Sequence, residues 1–184
     1  VLLKRRDLSQ FTIDVGGERL IFSNVRPSHT FYRYWDLEEI TLKTGKVRRL
    51  TKGERLRDPD FSPDGKSVVV VRQKTGASDL GLYDLKEKKF EAMPFQGPAL
   101  QGAAEFNHPR WSPDGRFIAV SVHFRGQRDL WIVDPQGKHW RRLTDNVAIE
   151  DRPTWDPAGR FLYYSSDRDG ISNLYRYDLG RKTT

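Results

Sequence analysis

Cysteine is absent from this sequence, which excludes disulfide bridges and thiolate metal sites. That absence is compatible with either a bacterial cytoplasm or a periplasm. No apolar run approaches the roughly 18 residues of a spanning helix, so no transmembrane segment is expected. A sustained 3.6-residue apolar period is also missing, and helix should be scarce. There is no G-x-S-x-G elbow of the kind that presents a nucleophilic serine. The four histidines, His29, His108, His123 and His139, do not fall into a metal or triad spacing. A non-enzymatic chain without cofactors is therefore expected. The sequence opens on Val1 with neither a methionine nor a signal peptide, which reads as a cut from something longer.

Acidic charge is in short supply. Thirty-two basic against 25 acidic side chains give a net charge of +7. Such a surface could attract nucleic acid or anionic lipid, but the excess is spread through several loops. Its densest part carries Lys43, Lys46, Arg48, Arg49, Lys52, Arg55 and Arg57 with one Glu54. Much of that part falls on an outer strand, where lysine and arginine guard an exposed edge. Nucleic acid is not the expected partner.

What the sequence does contain is a repeat. Phe61-Ser62-Pro63-Asp64-Gly65 returns as Trp111-Ser112-Pro113-Asp114-Gly115 and, loosely, as Trp155-Asp156-Pro157-Ala158-Gly159. A worn copy precedes them at Ile13-Asp14-Val15-Gly16-Gly17. The last glycines are spaced 65−17 = 48, 115−65 = 50 and 159−115 = 44 residues apart. A mid-forties period with strand-like content signals propeller blades. The unit has a mechanical reading: an aromatic anchors a strand end in the core, and proline presets the first turn position. Aspartate then bonds the backbone two residues on, and glycine supplies a positive φ. These aspartates have a structural job rather than a catalytic one.

Each repeat divides into four strands. The first ends at the turn (10–13, 58–61, 108–111, 152–155), and the second follows the glycine (19–23, 67–72, 117–122, 161–165). Both are rich in β-branched and aromatic residues. The third begins at Asp36-Leu37, Asp79-Leu80, Asp129-Leu130 and Asn173-Leu174. The outermost reads Arg48-Arg49-Leu50-Thr51, a degenerate 90–93, and Arg141-Arg142-Leu143-Thr144. The expected fold is an all-β propeller of four four-stranded antiparallel blades, at about 8–51, 57–94, 107–145 and 151–184, in a single domain. Residue 184 falls just where a fourth outer strand should begin. Residues 1–4 could supply that strand and close a ring; the expectation preferred here is a segment of a larger propeller.

The string Pro109-Arg110-Trp111-Ser112-Pro113-Asp114-Gly115-Arg116, followed by 129–134 and 141–144, resembles the WD40-like PD40 repeat of TolB-like β-propellers. Residues 153–160, 165–170 and 173–178 match again, whereas the first repeat departs, with Val15-Gly16 in place of Pro-Asp. The resemblance implies a non-catalytic scaffold binding protein or peptide partners in the bacterial cell envelope or periplasm, a cytoplasmic location being the alternative. It also implies a second possibility, the substrate-gating propeller of a prolyl-oligopeptidase-like or tricorn-like serine peptidase.

Two places qualify as candidate binding sites. In a propeller the approaches to the innermost strands surround the axis. Here they read Ser9-Gln10, Arg57-Asp58, Asn107-His108 and Asp151-Arg152, with Glu150 beside them, polar where a channel mouth needs polar groups. A long insertion in the first repeat adds Arg26, His29, Phe31, Tyr32, Arg33, Tyr34 and Trp35, and arginine among aromatics is typical of interface hot spots. The same residues could instead pack the insertion onto its blade or stack single-stranded nucleic acid. Residues 96–106 form a second long loop that could act as a flap. Asp167-Arg168-Asp169-Gly170 begins like a calcium loop, but lacks a glutamate at the twelfth position, and a hairpin turn explains it more simply.

Overall fold

The structure, a computed structural model, describes residues 8–28, 32–96 and 104–184. Among these every regular element is a strand, and the strands form four separate antiparallel sheets. The first blade comprises β1 (Leu8–Ile13), β2 (Arg19–Ser28), β3 (Tyr32–Thr41) and β4 (Lys46–Arg49). The second comprises β5 (Leu56–Phe61), β6 (Ser67–Lys74), β7 (Ala77–Asp84) and β8 (Lys89–Ala92). The third is built from β9 (Glu105–Trp111), β10 (Ile118–Phe124), β11 (Gln127–Val133) and a two-residue β12 (Arg141–Arg142). The fourth has three strands, β13 (Glu150–Trp155), β14 (Phe161–Ser166) and β15 (Asn173–Asp178). Each blade is a meander in chain order, so the first strand of each is its edge.

The core lies between blades, not within them. Val68, Val69, Val70 and Val71 on β6 are all fully buried. Since side chains alternate across a strand, Val68 and Val70 meet Ile21 and Leu37 of the first blade. Val69 and Val71 meet Phe106, Ile118 and Val120 of the third. A third cluster joins Ala119, Leu130 and Ile132 to Leu162, Tyr164 and Tyr177. Strands covered on both faces read as apolar runs instead of alternating ones, which is the pattern of β6 and β10.

The turn that carries the repeat is the same in all four blades, including its worn copy. Gly17, Gly65, Gly115 and Gly159 have φ of 67°, 67°, 70° and 67°, and each donates its N–H to the carbonyl three residues back. The Asp64 carboxylate accepts from the amide of Lys66 at 3.1 Å, and that of Asp114 from Arg116 at 3.0 Å. Where the repeat has Asp14 or Asp156 in place of serine, that carboxylate takes over the hydroxyl's bond to the amide opening the next strand. The aromatic before the turn differs between blades. Phe61 is buried, but Trp111 and Trp155 are only half-buried; they lie at the margin of their clusters, so the expectation of full core anchors is corrected.

The Ser112 hydroxyl donates to Asp114 at 2.7 Å. That bond, assisted against slight burial by the Arg116 amide and guanidinium, holds the Asp114 carboxyl down at about 2. Replacing Ser112 with alanine should let Asp114 titrate closer to the ordinary value of about 3.9. A side-chain NMR titration reads this directly, and an inflection still near 2 would place the cause elsewhere.

Candidate functional site

The four first strands pack against one another in succession, β1 on β5, β5 on β9 and β9 on β13, and so line the axial side of the blades. Arg110 on β9 donates to the Gln10 side-chain oxygen on β1 at 2.8 Å, a bond between the third blade and the first. Toward the rim each first strand carries an irregularity in its pairing, between Leu8 and Phe11, between Arg57 and Asp60, between Asp151 and Thr154, and opposite Ala119 to Ser121 on β9. At these bulges Asp58, His108 and Arg152 adopt φ of 54°, 52° and 55°. Left-handed backbone at a non-glycine residue costs on the order of 1–3 kcal/mol and persists only where surrounding structure enforces it. It recurs at the same repeat position in three blades, each time before proline. The bulge re-aims the side chains beside it.

Those side chains form links running around the axis. Arg57 ion-pairs with Asp58 and donates from Nη2 to the Phe106 carbonyl at 3.0 Å and to Asn107 Oδ1 at 2.9 Å, tying the second blade to the third. His108 Nδ1 stands 2.8 Å from an Asp151 oxygen; an ionised carboxylate can only accept, so Nδ1 carries the proton. Arg128 reaches the other Asp151 oxygen at 3.2 Å, and the Arg152 amide donates at 2.9 Å. Burial would push the Asp151 carboxyl up, but the His108 bond and charge, the Arg152 amide and Arg128 together hold it below its ordinary range. One level down, Asp60 accepts from Thr12 Oγ1 at 3.0 Å and from the Trp111 amide at 2.8 Å. There burial prevails over the opposing Arg110 charge and these donors, and the Asp60 carboxyl is raised.

Glu150 is fully buried and accepts from Arg168 at 2.5 Å and Asn146 at 2.8 Å. Its backbone carbonyl accepts from Ser121 of the third blade at 2.7 Å. The backbone of Glu150 thus links the third and fourth blades, while its side chain braces its own blade and the Asn146 linker. The structure thus gathers Arg57, Asp58, Asn107, His108, Asp151 and Arg152 on the first strands, and assigns Glu150 to the support behind them.

Arg33, Tyr34 and Trp35 do not lie on a loop, which corrects the sequence expectation. They belong to β3, paired opposite Pro27, Arg26 and Val25 in a hairpin that extends the blade. Tyr34 is capped by Arg55, whose guanidinium lies 4.2 Å from the ring centroid and donates to the hydroxyl at 2.8 Å. Tyr34 therefore braces the chain entering the second blade, while Arg33 remains exposed. His29 and Phe31 lie outside the described residues, as does most of the 96–106 loop. The flanks of that loop are fixed: Phe95 packs edge-on to Phe106, Trp131 and Trp140 at 4.6–5.4 Å.

The four arginines of the dense basic stretch have partners. Arg48 holds Glu39 at 2.8 Å, Arg49 holds the buried Asp36 at 2.5 Å, Arg55 sits on Tyr34, and Arg57 pairs with Asp58. Arg48 and Arg49 stay on the outermost strand with Arg48 exposed, whereas Arg57 is committed to the contact between blades. Asp167-Arg168-Asp169-Gly170 forms a turn whose Asp167 carboxylate caps the Ile149 amide at 2.7 Å. No grouping of three potential metal ligands occurs among the described residues.

With this geometry in view, comparison with known proteins is informative. Residues 98–183 match the PD40 family, described as the TolB beta propeller domain. The chain is a TolB-like β-propeller segment built from PD40 repeats. It is 32% identical over 122 residues, 66% of its length, to the Tol-Pal system protein TolB of Anaeromyxobacter dehalogenans. It is 29% identical over 171 residues, 92% of its length, to the protein TolB homolog of Chlorobium luteolum. Crystallographic TolB from Acinetobacter baumannii superposes on 97% of the chain with a TM-score of 0.78 at 20% identity, a likeness of fold. The chain spans 26% and 36% of the lengths of these two sequence relatives and 43% of that structure.

Proposed function

We propose that this TolB-like propeller segment is a non-catalytic scaffold of the bacterial envelope, working in the periplasm, that binds a protein or peptide partner at its axial rim. The observation that carries this reading is the recurrence of a strained, non-glycine bulge at Asp58, His108 and Arg152. Three blades in succession accept an energetic cost to present polar side chains around one axis. Strain of this kind concentrates at ligand clamps and switch regions. The relatives' descriptions as TolB and as Tol-Pal system proteins support the envelope setting, and favour binding over a peptidase-gating role.

The test uses the exposed Arg152 and Asn107 on the preceding first strand. The chain and its Asn107→Ala/Arg152→Ala variant serve as baits in a bacterial periplasmic extract, with melting temperatures compared in parallel. A discrete protein retained by the unmodified chain and lost from an equally stable variant is the expected result. Identical retention by both baits would sink the axial reading.

A further inference from the structure

Asp60 sits where three blades meet. Its Oδ1 accepts from Thr12 Oγ1 of the first blade at 3.0 Å, and its Oδ2 from the Trp111 amide of the third at 2.8 Å. Thr12 Oγ1 also accepts the Phe61 amide of the second blade at 3.2 Å. One carboxylate and one hydroxyl thus join three innermost strands. Of the groups that face Asp60, Gln10 and Thr12 on β1 are neutral, and β2 and β3 bring the apolar Ile21 and Leu37 to β5. On β5 itself Asp58 is taken up by Arg57. On β9, Glu105 and His108 lie toward the rim against His123 and Asp151. Arg110 is the charge that acts on Asp60.

Arg110 is nevertheless not paired with that carboxylate. Its guanidinium donates to the Pro109 carbonyl and to the Gln10 side-chain oxygen on β1, both at 2.8 Å. The second of these bonds reaches past the second blade and ties the third blade to the first. Burial favours the neutral Asp60 carboxyl and outweighs Arg110 and both donors. In that form its hydroxyl can donate to Thr12 Oγ1, since a threonine hydroxyl both donates and accepts, and Arg110 is left to Gln10. An ionised Asp60 has about four acceptor sites, of which Thr12 and Trp111 fill two. A guanidinium–carboxylate hydrogen bond is roughly twice as strong as one between neutral groups, and the attraction grows where water is scarce. Gln10 then loses the competition.

We propose that Arg110 is a pH-sensitive crossbar on the axial side of the blades. With Asp60 protonated, it bridges the third blade to the first through Gln10. When Asp60 gives its proton to solvent, Arg110 turns to Asp60 and releases Gln10. The device needs no partner at the rim, so it stands apart from the binding reading above. Because burial raises the Asp60 carboxyl in the folded chain, the stability tied to its neutral form is present in full below the ordinary value near 3.9. It is lost as pH rises through the folded midpoint.

The test is a side-chain NMR titration of the 184-residue chain, following the Asp60 carboxyl carbon, the Gln10 amide group and the Arg110 Nε–H. All three should move with one shared midpoint, above the ordinary aspartate value of about 3.9. Asp60→Asn should leave the Gln10 and Arg110 signals flat over that range. Arg110→Gln should raise the Asp60 midpoint further, because the charge favouring ionisation is gone, and should silence the response of Gln10. In urea unfolding on either side of the midpoint, the unmodified chain should lose more stability with rising pH than Asp60→Asn does. A merely structural Asp60 would titrate without moving Gln10. The proposal falls if Gln10 stays flat while Asp60 titrates, if the Asp60 midpoint lies at or below about 3.9, or if Arg110→Gln leaves that midpoint unchanged. The first two outcomes are read on the unmodified chain, so they need no variant to fold.

Discussion

Replacing Asp36 with alanine is expected to destabilise the chain by about 3–5 kcal/mol, the cost of breaking a buried ion pair from one side. Asp36 is fully buried at the point where the third and outermost strands of the first blade meet. Its two oxygens accept from Arg49 at 2.5 Å, Thr51 Oγ1 at 3.1 Å, and the amides of Gly53 and Glu54 at 3.0 and 3.2 Å. Thr51 Oγ1 in turn accepts from the Leu37 amide at 2.9 Å. Alanine would strand a cation, a hydroxyl and two backbone donors together. The third blade repeats the device, with Asp129 held by Arg142 at 2.5 Å and Leu130 donating to Thr144 at 3.0 Å. In the second blade Ala92 and Pro94 replace the arginine and threonine, and Asp79 turns instead to Arg72 and Lys74 at 2.9 and 2.7 Å. Asp79→Ala, at a more exposed pair, should cost no more than about 1 kcal/mol. Urea unfolding of the two variants measures the contrast; a loss below about 1 kcal/mol for Asp36→Ala would show that the network is not cooperative.

That device marks the boundary of what the sequence discloses. The Asp-Leu pair and the later Arg-Leu-Thr were visible as recurring strings, but their partnership was not. Arg49 and Asp36 are separated by 13 residues and become neighbours only when β3 and β4 pair in register. Read singly, Arg48 and Arg49 are guards of an edge, and nothing in the string discloses their ion pairs to Glu39 and Asp36. The proline-aspartate-glycine turns were legible because their bonds close within five residues, so local chemistry suffices. Even the worn copy ending at Gly17 could be recognised from spacing. By contrast, β3 begins at Tyr32 and not at Asp36; Tyr32, Tyr34 and Trp35 are good strand formers, but the partner that makes them a strand, 25–28, is visible only once the hairpin forms. The polar identity of the axial residues was readable too. Their left-handed backbone was not: a residue before proline is ordinarily extended, so Asp58, His108 and Arg152 gave no local signal. Only the packing of each blade on the next, which brings Arg57 to Asn107 and His108 to Asp151, accounts for them.

Gly81→Ala is expected to be the second severe substitution, at about 3 kcal/mol, the upper end of the usual range for overpacking. Glycine in the middle of a strand normally weakens it, so its presence in β7 calls for a physical cause. A Cβ at this position would stand 2.3 Å from the Glu91 carbonyl oxygen and 2.5 and 2.6 Å from the Phe90 ring. Phe90 lies over Gly81 with the Arg72 guanidinium 4.3 Å from its centroid, so the ring is clamped from both sides. Rotating the ring would relieve half of the clash; the carbonyl belongs to β8 itself and can retreat only if that strand does. Gly81 pairs with Ala92, and the next link outward is the Met93 amide on the Leu80 carbonyl at 2.8 Å. Hydrogen exchange at Met93 should therefore accelerate in the variant together with the fall in global stability. Gly81→Ala/Phe90→Ala removes the ring and leaves the carbonyl, so it should recover only part of the loss beyond that of Phe90→Ala alone. Full recovery would assign the whole constraint to the ring, and a loss below about 1 kcal/mol in the single variant would mean that β8 yields without cost. Met93 and Phe95 carry this outer strand into the core shared with the third blade, next to Phe106, whose carbonyl holds Arg57. A blade edge that gives way at Gly81 therefore loosens the support of the axial rim as well.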